Sequence, residues 1–110
     1  MRRTAIAVLV AMSAALVAAS AFADERAEQV FRGWQIAVDA CGDCHAVGAG
    51  GASPLPIAPP FHQLARNYPL EWLEEALAEG MVTGHENMPI IELDPVQIDD
   101  FLTYLATIQR

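Results

Sequence analysis

The sequence contains no lysine, and its six arginines face 14 acidic residues. The formal net charge is −8 over 110 residues. A field of that sign repels phosphate backbones, so nucleic acid is excluded as a partner. Cysteine is also scarce, and two residues cannot staple a disulfide-built scaffold. No repeat is visible, and no segment alternates apolar and polar residues as a half-buried strand does. The expected fold is therefore all-α. The length allows one domain, and 54% hydrophobic residues is too apolar for a disordered chain.

Much of that apolar excess lies at one end. Arg2 and Arg3 follow Met1, residues 5–19 are an almost unbroken apolar run, and Ser20-Ala21-Phe22-Ala23 follows with small residues at its last and third-last positions. Basic start, apolar centre and A-x-A end are the layout of a secretory signal peptide. The expected cut is after Ala23, giving a signal over residues 1–23 and a mature domain over residues 24–110. An uncleaved anchor is the competing reading. The run of about 15 residues falls short of the ~20 that a spanning helix needs, so no stable membrane insertion is expected after cleavage. Export places the mature protein in the periplasm. Without Arg2 and Arg3, four arginines remain against 14 acids, a net of −10. A domain of this size buries only about 60–65% of its unfolded surface, and small domains often recruit a cofactor or metal as a staple.

Three main helices are predicted in the mature part. Residues 27–40 carry Val30, Phe31, Trp34, Ala37 and Val38 at three- and four-residue steps, the stripe of an amphipathic helix. Residues 69–79 start on Pro69, present Leu70, Leu73, Ala76 and Leu77 inward, and close at Gly80. Residues 95–107 follow Asp94 as N-cap and Pro95 at the first position, with Ile98, Phe101, Leu102 and Leu105 as the inner face. Between them lie two loops. Residues 48–60 hold Pro54, Pro56, Pro59 and Pro60, a length that a small domain leaves irregular when it wraps something. Residues 61–65 read as a short helix, and residues 81–93 form the second loop.

The first helix runs into Cys41-Gly42-Asp43-Cys44-His45. Cysteines three apart place both sulfurs on one side of a helical turn. C-x-x-C-H is the attachment signature of covalent c-type haem, with the cysteines as thioether anchors and the histidine as proximal iron ligand. A thioredoxin-like C-x-x-C would follow a strand and open a helix, whereas this one follows a helix. A zinc site would need further ligands at characteristic spacing, and no second C-x-x-C or H-x-x-x-H pair exists.

The sixth iron ligand is sought on a loop across the ring, among His62, Met81, His85 and Met88. Met88 is favoured because it belongs to no helical stripe and is stiffened by Pro89. Met81 adjoins a helix end and is read as packing. His62 is read as an exposed loop histidine, and His85 as a propionate contact or exposed loop residue.

Helix with Gly33, C-G-D-C-H, A-P-P-F at residues 58–61, L-E-E-A-L, N-M-P at residues 87–89 and an aromatic last helix together resemble a small monohaem class I c-type cytochrome of bacterial periplasms. The resemblance covers nearly all of the mature chain. It implies a cytochrome c-like fold whose loops wrap one covalent haem c, held by Cys41, Cys44, His45, Met88 and Pro59. His45 and Met88 are the implied iron ligands, and the Pro59 carbonyl is implied to accept a hydrogen bond from the proximal histidine. First and last helices are implied to cross at Gly33 against Phe101 and Tyr104. The aromatic residue that the family often has four positions before the first cysteine is Ala37 here, which leaves Trp34 or Phe31 to fill that volume.

The implied function is electron transfer by a monomeric non-enzyme to redox proteins with a basic docking face. Two alternatives stand beside it: a haem with a labile sixth site for small gases or peroxide, and a dedicated cytochrome subunit of a larger dehydrogenase.

Overall fold

The computed structural model describes residues 1–80 and 88–110, and of residues 2–4 the backbone alone. It contains three α-helices, α1 (Arg2–Cys41), α2 (Trp72–Glu79) and α3 (Pro95–Ile108), with a 3₁₀ helix over Phe61–Arg66 between the first two. Among the described residues there is no strand. Met81 and His85 lie outside the described residues.

Helix α1 is one unbroken rod of 40 residues, far longer than the 27–40 segment expected. Residues 5–23 are rich in Ala, with Val and Leu between them, and contain neither glycine nor proline, so nothing in the chain stops helix propagation there. This stretch packs on nothing. Every residue from 5 to 28 is exposed, and the rod stretches the molecule to 72 Å in its longest dimension. The helix is long and apolar enough to cross a membrane by length and composition, a test that signal sequences also pass.

The part of α1 beyond residue 28 packs on α3, with part of the expected stripe, Val30 and Ala37, turned inward and the rest turned away. Gly33 and Ala37 are buried, with Val30, Ile36 and Cys41 partly buried beside them. Phe31, Trp34 and Val38, expected on the inner stripe, point outward with 55%, 41% and 38% exposure. The cause is the closeness of the crossing. A Cβ placed on Gly33 would collide with the Asp100 carbonyl and lie 2.7 Å from the Tyr104 Cβ. Helix separation follows the side chains at the contact, so a crossing this close takes the Gly33–Ala37 edge and turns the aromatic pair away. Phe31 and Trp34 stack on each other at 5.5 Å. They do not fill the space beside Ala37.

Two polar ties flank the crossing. Arg32 grips the buried Asp100 with both ends of its guanidinium, Nε to Oδ2 at 2.7 Å and Nη2 to Oδ1 at 3.0 Å. Gln29 donates to Asp99 at 2.6 Å.

Helix α3 begins as expected. Asp94 accepts from the Gln97 amide at 2.9 Å, while the Gln97 side chain accepts from the Asp94 amide at 3.0 Å, a reciprocal capping box. Helix α2 starts three residues later than expected, because Pro69, Leu70 and Glu71 form i→i+3 turns first. Leu73 and Leu77 face inward as expected, and Gly80 ends the helix at φ +84°. The core joins Ala37, Phe61, Leu64, Leu73, Leu77, Ile98, Phe101, Tyr104, Leu105 and Ile108. His62, expected to be an exposed loop histidine, is 7% exposed. The 3₁₀ turn carries it inward beneath the chain end, where its carbonyl accepts from the Arg110 amide at 3.0 Å.

Candidate functional site

The last turn of α1 delivers Cys41, and the turns directly after it deliver Cys44 and His45. Backbone bonds from Cys44 and His45 back to the Cys41 carbonyl, 3.2 and 2.9 Å, coil the C-G-D-C-H segment tightly as the helix ends. The following chain is then pinned from several sides. Leu55 N–H donates to the Cys44 carbonyl at 3.1 Å, Ala46 N–H to the Ser53 hydroxyl at 3.0 Å, and Phe61 N–H to the Ala46 carbonyl at 2.9 Å. Tyr104 donates from α3 to the Val47 carbonyl at 2.6 Å. Burial raises the Tyr104 pKa, which keeps the phenol in its donating form.

His45 Nδ1 lies 2.8 Å from the Pro59 carbonyl oxygen. That oxygen can only accept, so Nδ1 carries the proton and the lone pair is on Nε2. The imidazole is braced by Phe61, whose ring centre is 4.9 Å away, and Phe61 meets Phe101 edge-on at 5.8 Å.

These residues border an apolar slot. One part, about 730 Å³ of empty space, opens beside Cys41, Cys44, Leu55 and Ile57. A deeper part of about 660 Å³ reaches Leu64, Tyr68, Leu73, Leu77 and Phe101. Both parts are bordered by Ala40, Cys41, His45, Met88 and Ile91. An apolar slot carrying two sulfurs and an imidazole with an available nitrogen fits a flat, largely apolar iron macrocycle. Cys41, Cys44, His45, Met88 and Pro59 therefore meet at one place, whereas His62 does not border it.

The cysteine chemistry separates the rival readings. Burial pushes the Cys41 thiol up to about 11. A redox-active C-x-x-C lowers the pKa of its attacking thiol, so this environment is opposite to the one that thioredoxin-like exchange needs. Among the described residues no cluster of three or more His, Cys, Asp or Glu side chains can hold a metal ion, which leaves zinc without a ligand set there.

Sequence reasoning missed Gln109, Tyr104 as a hydrogen-bond donor, and the Arg32–Asp100 pair. Gln109 carried no legible signal, since a glutamine one residue from a chain end is ordinary. The Arg32–Asp100 pair is separated by 68 positions and shows only once the helices cross.

The comparisons agree with this geometry. The cytochrome c family model matches residues 30–109, a span that begins beyond the apolar N-terminal stretch and includes every residue of the site. No curated protein matches the chain. No solved structure matches it either.

Proposed function

This chain belongs to the cytochrome c family, carries covalently bound haem c and serves haem-based electron transfer, and from that premise we propose that it is an exported one-electron carrier with His45 and Met88 as axial ligands. The bound group supplies an iron that alternates between ferrous and ferric. Cys41 and Cys44 anchor it by thioethers, His45 presents Nε2 to it, and the Pro59 carbonyl fixes the imidazole ring and raises its basicity. Met88 borders the same slot as His45. A thioether in the sixth position raises the potential relative to bis-histidine ligation. With His45 and Met88 both holding the iron, no substrate would need to reach it.

The observation that carries this reading is the convergence of Cys41, Cys44, His45 and Met88 on one apolar slot. Residues 1–23 are read as a cleaved leader, and the periplasm as the destination. The mature domain is read as a monomer whose acidic surface meets redox proteins through a basic face.

Absorption spectra of the purified protein, oxidised and reduced, test the ligation. The ferric form is expected to show the weak thioether–iron band at the red edge of the visible range, and the ferrous form to resist CO. Rapid CO binding without that band would instead establish a labile sixth site, as in a gas-binding or peroxide-using protein.

A further inference from the structure

Gln109 occupies the C-cap of α3 and spends its side chain on main-chain groups alone. Its Nε2 donates to the Phe61 carbonyl at 2.8 Å and to the Leu105 carbonyl at 3.0 Å. Its Oε1 accepts from the Ala65 amide at 2.8 Å. One amide thus binds both ends of the 3₁₀ helix to the last turn of α3. Arg110 completes the clasp, donating its amide to the His62 carbonyl at 3.0 Å and accepting at its own carbonyl from Arg66 Nε at 2.9 Å.

The start of that 3₁₀ helix is the wall behind the proximal histidine. Phe61 braces the imidazole ring, and two residues earlier Pro59 provides the carbonyl that accepts from His45 Nδ1. Only two residues separate the Phe61 carbonyl from the Pro59 carbonyl, the ring of Pro60 fixes one dihedral of that link, and the Phe61 amide within it is held by the Ala46 carbonyl at 2.9 Å, so a shift of the Phe61 carbonyl is passed on over a short path. We propose that Gln109 is a positioning residue for the proximal ligand: by holding the Phe61 carbonyl it sets the hydrogen bond from His45 to Pro59, and through that bond the electron-donating strength of the imidazole. The inference rests on the reading of His45 as the proximal iron ligand.

The sign follows from the chemistry of the bond. A strong acceptor at Nδ1–H pushes electron density onto Nε2 and favours ferric iron. Releasing the Phe61 carbonyl loosens the acceptor, weakens that push and moves the reduction potential upward.

The experiment uses the haem-loaded protein and three variants. Gln109→Leu removes all three bonds at nearly constant volume. Ile108→Ala removes buried packing from the same turn of α3 and leaves these bonds in place. The two are compared at matched loss of denaturant midpoint. Gln109→Leu is expected to raise the potential and to speed solvent exchange of the His45 Nδ1 proton in NMR, while Ile108→Ala leaves both at wild-type values. Gln109→Glu, which keeps the acceptor for Ala65 but loses the donor to Phe61, is expected to show the same faster exchange and provides that readout if Gln109→Leu does not accumulate. Unchanged exchange and potential in Gln109→Leu, unchanged exchange in Gln109→Glu, or equal shifts in Ile108→Ala, would overturn the proposal and leave Gln109 a helix cap. A wild type without covalent haem would overturn the underlying functional reading instead, and the proposal with it.

Discussion

At the scale of single residues, the site depends on a few atoms placed by distant parts of the chain. The Pro59 carbonyl was implied as the acceptor for the proximal histidine by resemblance to the family, and the folded chain brings that oxygen to 2.8 Å from His45 Nδ1. Gly33 lies at the helix crossing with Tyr104 against it, as the resemblance implies; the Asp100 backbone is nearer still, and Phe101, the other implied partner, packs on Phe61 at the slot. Gly33→Val is expected to cost on the order of 1–3 kcal/mol by overpacking, because the nearest obstacle is backbone and cannot swing aside. The loss should appear in the denaturant midpoint with haem content unchanged, and an unaltered midpoint would show that the helices do not meet there. Met88→Ala should remove the red-edge band, lower the potential and open the iron to CO, azide or peroxide. A wild type without the band, whose ligation changes in His85→Ala and not in Met88→Ala, would identify bis-histidine ligation.

At the scale of elements, legibility followed the range of the forces involved. Helix α3 was read almost to the residue because its signals are local: Asp94, Pro95 and Gln97 determine its start within one turn. Asp94→Ala should therefore cost about 0.5–2 kcal/mol, read as a lower denaturation midpoint with the same haem content. The inner face of α1 was misread because periodicity finds the most apolar stripe, and Phe31, Trp34 and Val38 form it. Of the expected stripe only Val30 and Ala37 turn inward, beside Gly33, since the separation from α3 decides which edge fits. His62 was misplaced for a related reason: the clasp that draws it inward joins residues 44–48 positions apart. A short-range reading contains no term for such pairs. The aromatic pair left outside stacks with 5.5 Å between ring centres.

At the scale of the whole molecule, charge and cofactor dominate. Residues 24–110 carry −10 with no lysine, and Glu71 at the start of α2 and Glu74, Glu75 and Glu79 within it are exposed. Electron exchange with a basic protein or a positively charged electrode is expected to slow as salt rises, because screening shortens to ~10 Å at 0.1 M. Stopped-flow rates that ignore ionic strength would assign the acidic surface to solubility alone. The central claim is that Cys41 and Cys44 serve as covalent anchors for one haem, and intact mass spectrometry of the mature protein tests it most directly. The account predicts a chain with a single haem added that acid–acetone fails to extract; a chain with two free thiols, or with a Cys41–Cys44 disulfide and no haem, would contradict it.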